Sequence, residues 1–208
     1  MNRNFLLAVS LFMFLTLTSC NAQGNKKLCC GHKPDPAVIE LHNQAVNAYT
    51  NHSNSPDSVK KAMTLLDCAI EKDPDYQIAY AHKAKYLKNQ GDIAQALETL
   101  NAYLKRNPTE PYTLLDAGIF YEKMGNKKEA MDYYKRAEEN FKRLYEEEHE
   151  SPDEINRYFA IRLMEGPKKA KALYEAERDR LASTEEQRKI NDVLVMSILE
   201  TPREQFFK

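Results

Sequence analysis

The chain lacks the residues and patterns of several common protein classes. Its 208 residues include no tryptophan and only six glycines, whereas tyrosine occurs twelve times. Low glycine with abundant lysine, glutamate, alanine and leucine is typical of helical proteins. No long alternation of apolar and polar residues predicts a β-strand, and no glycine-rich loop that could bind nucleotide phosphates is present. The charge is nearly balanced, with 30 basic and 31 acidic residues, so the electrostatic footprint of a nucleic-acid-binding protein is absent.

The sequence also lacks a candidate catalytic set. None of its histidines lies in a His-Glu-x-x-His zinc pattern or near a nucleophile elbow. The many carboxylates follow helical spacing, at which ion pairing with lysine is the usual role. We therefore expect no enzyme activity, no catalytic residue, no metal and no cofactor.

One long apolar run occurs, at the N-terminus. Residues 5–17 follow Arg3 and are too few to span a bilayer comfortably, which is typical of a secretory signal. The next residues complete the string Leu-Thr-Ser-Cys at 17–20, which resembles the cleavage box of bacterial lipoproteins. The resemblance implies a signal peptide over residues 1–19 and an acylated Cys20 as the new N-terminus, with a plain cleaved signal as the alternative. Asn21 stands where an aspartate would imply inner-membrane retention, so we expect an outer-membrane anchor with the protein facing the periplasm.

A polar tether over residues 20–36 follows the predicted anchor. It holds Cys29, Cys30 and His32, whose side chains could bind a metal, form a disulfide or belong to a linker with incidental thiols. Their spacing matches no zinc signature. Cys68 falls among apolar residues of a predicted helix, where we expect a small buried side chain.

Residues 77–144 contain two copies of one helix–turn–helix unit. Gly91 and Gly125 lie about 34 residues apart, a period typical of helical-pair repeats. Each glycine can adopt a positive φ just after a helix. The side chains of Asp92 and Asn126 can accept hydrogen bonds from the free N–H groups at the start of the next helix. Small and large residues recur at the same positions of both copies, so the two helices of each unit can approach closely.

This pattern resembles the tetratricopeptide repeat. The matching residues are Tyr80, Ala84, Gly91, Ala96 and Pro108 in the first full copy, and Gly118, Tyr121, Gly125, Ala130, Tyr134 and Ala137 in the second. The resemblance implies an all-α, right-handed superhelical stack of antiparallel helix pairs, a TPR-like α-solenoid. We expect copies over residues 38–76, 77–110 and 111–144, inside a domain that spans 37–144.

In this family the first helix of each pair lines a groove that binds another protein. The corresponding positions here are Asn43, Asn47, Asn51, Ala81, Lys85, Lys88, Asn89, Leu115, Ile119, Glu122 and Lys123. Asparagine side chains can pair with the backbone of an extended peptide, and Lys85 and Lys88, one turn apart, could meet a carboxylate. The lysine and arginine positions of the carboxylate clamp found in some members are occupied by Asn43, Tyr112 and Asp116, so we do not expect that clamp.

The remaining residues, 145–208, predict a helical extension with a possible degenerate repeat. Ser151, Pro152 and Glu154 form a helix-start pattern in which Glu154 is expected to act in a capping box. A last helix is predicted to end near Glu200. Its residues 193–199 are apolar nearly all round, so the helix must be buried. It could cap the open end of the stack or form a dimer face.

These observations predict a membrane-anchored lipoprotein whose helical repeats bind another protein as a scaffold or assembly factor of the cell envelope. The alternatives are an immunity lipoprotein that neutralises a toxin and, third, an envelope enzyme.

Overall fold

The computed structural model describes residues 32–51, 55–148, 151–182 and 184–207. The predicted signal peptide, Cys20, Cys29 and Cys30 lie outside the described residues.

Across these ranges the chain forms nine α-helices, two short 3-10 helices and no β-strand. The α-helices are α1 (Pro36–Asn51), α2 (Pro56–Lys72), α3 (Gln77–Asn89), α4 (Ile93–Leu104), α5 (Pro111–Lys123), α6 (Lys127–Glu148), α7 (Ser151–Glu165), α8 (Pro167–Glu177) and α9 (Glu185–Glu200). The 3-10 helices span Arg178–Leu181 and Arg203–Phe207. This architecture confirms the predicted all-α, TPR-like fold class.

The chain divides into two compact units, one ending at Thr113 and the other beginning at Leu114. In the first unit, α1 packs on α2 and α3 packs on α4. Small residues allow these approaches, since Ala45, Ala62 and Ala69 are completely buried, and Leu66 fills the space beside them.

The glycine turns have the predicted conformation. Gly91 has φ +86° and Gly125 has φ +83°. After Gly91, the Asp92 N–H donates to the Leu87 carbonyl at 3.0 Å, which closes the end of α3. The Asp92 carboxylate then accepts from the Gln95 N–H at 3.0 Å and caps α4.

Ser55 and Cys68 account for two local details of the first unit. The cap of α2 is Ser55, whose hydroxyl accepts from the Ser58 N–H at 3.4 Å, with Pro56 as the first helical residue. Cys68 is half-buried rather than fully buried.

In the second unit, α6 packs on α7 and α7 packs on α8. The Arg157 guanidinium joins these three helices, because it donates to Glu138 on α6 at 2.7 Å, Glu154 at 2.6 Å and Glu177 on α8 at 3.0 Å. The predicted capping role of Glu154 is therefore wrong: its carboxylate is buried and accepts from Arg157 and Arg180. A buried carboxylate needs cationic partners, and that need outweighs a helix cap.

The last helix, α9, packs on α7 and α8. Val195, Ile198 and Leu199 are buried, and the Tyr174 hydroxyl on α8 donates to Asp192 at 2.7 Å. The prediction that this helix is buried all round is wrong in one respect, because Val193 is 69% exposed. The helix therefore buries one face within its own unit.

Candidate functional site

A row of aromatic and polar side chains joins the first helices of the first two pairs, α1 and α3. The His42 Nε2 and His82 Nδ1 atoms lie 2.5 Å apart, with nearly parallel rings. Further along the same two helices, the rings of Tyr49 and Tyr86 stack, with 3.6 Å between their centroids. We call His42, His82, Tyr49 and Tyr86 the aromatic row.

Burial keeps the imidazoles of this row neutral. Burial, with smaller contributions from His42 and Lys85, lowers the pKa of His82 from 6.5 to about 3. Burial also lowers the pKa of His42, and a hydrogen bond with Asn43 partly opposes that effect. At neutral pH each ring therefore carries one N–H, and a single N–H···N bond can join them.

The predicted binding residues of the first unit lie on the same two helices as the aromatic row. Asn43, Asn47 and Asn51 are exposed on α1, and Lys85 and Lys88 are half-buried on α3.

Asn89 is also exposed, and its side-chain amide donates to the Tyr49 hydroxyl at 3.1 Å. These side chains offer amide donors and acceptors and two ammonium groups. That set can hydrogen-bond an extended peptide and attract a carboxylate.

The predicted residues of the third pair lie in the second unit and have a different setting. Leu115 and Ile119 are each only 4% exposed, so they belong to the core rather than to an open surface. The Glu122 carboxylate accepts from Arg203 at 2.7 and 2.8 Å and from the Tyr134 hydroxyl at 2.8 Å. Lys123 is half-buried.

Sequence reasoning missed the aromatic row and the partner of Glu122. A signal for the row was present, because His42 and Tyr49 lie seven residues apart and His82 and Tyr86 lie four apart, so each pair shares a helix face. No local signal links Arg203 to Glu122, which lie 81 residues apart in the chain.

The described residues lack two further features. They contain no group of three or more histidine, cysteine, aspartate or glutamate side chains placed to hold a metal ion. They also contain no helix with the length and apolar content needed to cross a bilayer.

Comparison with known proteins confirms the repeat class. Residues 55–151 match the family model described as "Psidin, N-terminal TPR repeats region". This region is thus a tetratricopeptide repeat region, as the glycine and alanine positions predicted.

Solved structures with a similar arrangement include the MamA protein, with 15% sequence identity over 78% of this chain and 90% of that chain, at a TM-score of 0.43. Another is a tetratricopeptide repeat protein from Parabacteroides merdae ATCC 43184, with 14% identity over 96% of this chain and 88% of that chain, at a TM-score of 0.41. No curated protein matches the sequence.

Tetratricopeptide repeats bind other proteins, so the fold supports a role as a protein interaction scaffold. The side chains suited to that role are the exposed asparagines and half-buried lysines of α1 and α3, the two helices that the aromatic row joins.

Proposed function

We propose that this protein is a lipid-anchored scaffold of the Gram-negative cell envelope that binds a partner protein along α1 and α3. The observation that carries the proposal is the joining of α1 and α3 by the partly buried aromatic row, which sets the polar side chains of two successive repeats side by side. The anchor is inferred from the sequence around Cys20.

The chemistry of the row favours an extended peptide segment of the partner. Asn43 and Asn47 lie one turn apart on the exposed face of α1, at a spacing suited to paired backbone hydrogen bonds. Lys85 and Lys88 stand on α3 and provide positive charge for an acidic side chain. Such a segment binds by amide pairing and charge together, which is typical of polar, reversible interfaces.

Crosslinking in intact cells tests this proposal. A photo-crosslinking side chain at Asn47 should give a discrete adduct with one partner protein. The same probe at Glu98, exposed on the second helix of the next pair, should not give it. The charge reversal K85E/K88E should reduce the Asn47 adduct severalfold while leaving the amount of folded protein unchanged. Equal adducts from both probe positions would refute binding along α1 and α3.

A further inference from the structure

A buried arginine in the second unit has unfilled hydrogen-bonding groups. Arg162 lies on α7 and is only 4% exposed. Its Nη2 group donates to the Thr201 carbonyl, whereas Nε and Nη1 have no acceptor within the part of the chain that the structure describes. A buried cation without acceptors is costly, because the desolvation of its N–H groups is not compensated.

The chain's own C-terminal segment covers this arginine. The Phe206 ring lies over the Arg162 guanidinium at 4.5 Å and against the Phe159 ring at 4.8 Å. None of the residues of the 3-10 helix Arg203–Phe207 is buried. An aromatic ring can contact the face of a guanidinium. It cannot accept hydrogen bonds from the N–H groups at the edge of the guanidinium.

The base of this segment is attached by hydrogen bonds, whereas Phe206 near its end is attached by ring contacts. Arg203 donates to Glu122 and, at 2.9 Å, to the Leu163 carbonyl. Residues 204–207 follow that attachment, and Phe207 lies over Arg203 itself. The segment can therefore move at Phe206 while Arg203 keeps its partners.

The charges at this surface favour an anion. Burial and the nearby positive charge of Arg203 lower the pKa of Arg162 below its ordinary value, and Glu122 pairs with Arg203 instead of Arg162. A carboxylate that reaches Arg162 Nε would accept a charge-assisted hydrogen bond from a group that otherwise has no acceptor among the described residues.

We propose that Phe159 and Arg162 form a docking site for an acidic peptide segment of a partner protein, and that residues 204–207 cover this site in the free protein. On binding, Phe206 leaves, an aromatic side chain of the partner takes its position, and an adjacent aspartate or glutamate accepts from Arg162 Nε. This inference rests on the proposed protein-binding function and names the chemistry of the partner.

Two end-capped peptides test the site on the full chain. The probe is acetyl-Gly-Asp-Phe-Gly-amide, and its control is acetyl-Gly-Asn-Phe-Gly-amide, which differs only in the absence of the carboxylate charge. In the F206A variant, calorimetry should show at least tenfold tighter binding of the Asp peptide than of the Asn peptide. The variant F207A provides the matched control, because Phe207 contacts Arg203 rather than Arg162. F207A should bind the Asp peptide as weakly as the unmodified chain does.

The double variant F206A/R162Q should lose the preference for the Asp peptide. Equal affinity of F206A for the two peptides would overturn the proposal, as would equal affinity of F206A and F207A for the Asp peptide. If F206A does not fold, the NMR resonance of the Arg162 Nε–H group in the unmodified chain serves instead. The Asp peptide should shift this resonance. An unmoved resonance at saturating peptide would overturn the proposal. The Asn47 crosslinking experiment examines the other unit, so a failure here leaves the proposed function standing.

Discussion

At Gly118 the absence of a side chain decides how closely α5 and α6 approach. A Cβ atom built there would lie 2.6 Å from Cδ1 and Cε1 of the Tyr134 ring and 3.3 Å from Cβ of Tyr133. The Tyr134 ring is buried, and its hydroxyl donates to Glu122 at 2.8 Å, so the ring is held from both ends. The two helices therefore pack at a distance that suits only glycine at this position.

We predict that Gly118→Leu destabilises the protein by about 1–3 kcal/mol, because overpacking displaces the Tyr134 ring. Denaturant unfolding measures the change. Lys128→Leu, on the exposed surface of α6, is the control and should change stability by less than about 0.5 kcal/mol. An unchanged unfolding midpoint for the glycine variant would show that the α5–α6 contact is not as tight as described.

The His42–His82 pair makes the first unit sensitive to acid. The pKa of His82 in the folded state is about 3, below the value of 6.5 that the unfolded chain has. Between these values the unfolded state binds a proton that the folded state does not. Stability therefore falls as the pH falls through this window.

We predict that the free energy of unfolding drops by about 2 kcal/mol more in the wild type than in the H42Q/H82Q variant when the pH is lowered from 7.5 to 5.0. The variant retains the polar contact but has no imidazole to protonate. Urea unfolding at the two pH values gives the comparison. Parallel losses of stability in both proteins would mean that the imidazoles do not contribute.

At the scale of the element, α9 shows why apolar content alone does not define a buried face. Val193 and Val195 lie two residues apart on one helix, so their side chains point to different sides. Val195 is completely buried, and Val193 is 69% exposed. The contacts of α9 with α7 and α8 explain this difference.

We predict that Val195→Asp destabilises the second unit by at least about 2 kcal/mol, because the carboxylate is buried without a partner. Val193→Asp should change stability by less than about 0.5 kcal/mol. Hydrogen exchange of α7 and α8 reports the effect. If Val193→Asp instead converts a dimer into a folded monomer, the exposed side of α9 is a dimer face.

At the scale of the whole molecule, the repeat pattern and the compact units do not coincide. The boundary at Thr113 and Leu114 falls inside α5, the first helix of the third predicted copy. Sequence periodicity marks where a copy begins, whereas compactness depends on which helices share a core. Each unit contains its own candidate binding site: the polar side chains of α1 and α3 in one, and Phe159 with Arg162 in the other.

We predict that Cys20→Ser abolishes metabolic labelling with palmitate and releases the protein from the membrane fraction, because several acyl chains, at about 0.8 kcal/mol per buried CH₂, would otherwise hold it there. Cys68→Ser, which changes a half-buried thiol, is the control and should remain labelled. Labelling that persists in the Cys20 variant would refute the lipoprotein assignment.

Local patterns in the sequence predicted much of the fold. The glycine turns, the cap at Asp92 and the end of the last helix at Glu200 follow from residues a few positions apart, whose preferences act without the rest of the molecule. The candidate sites were predicted less completely. The asparagines and lysines of α1 and α3 were found through the family resemblance, but Leu115 and Ile119 proved to be core residues.

The sequence alone therefore determined the helical class, the repeat period and the turns, because each depends on backbone preferences and on apolar spacing within one or two helices. Only the tertiary structure decided that Arg162 is buried beneath Phe206, that Arg203 pairs with Glu122 and that Glu154 is part of an ion network. These contacts join residues whose distance is set by helix packing. For such long polar side chains, the partner depends on which charges the packing brings within a few ångströms.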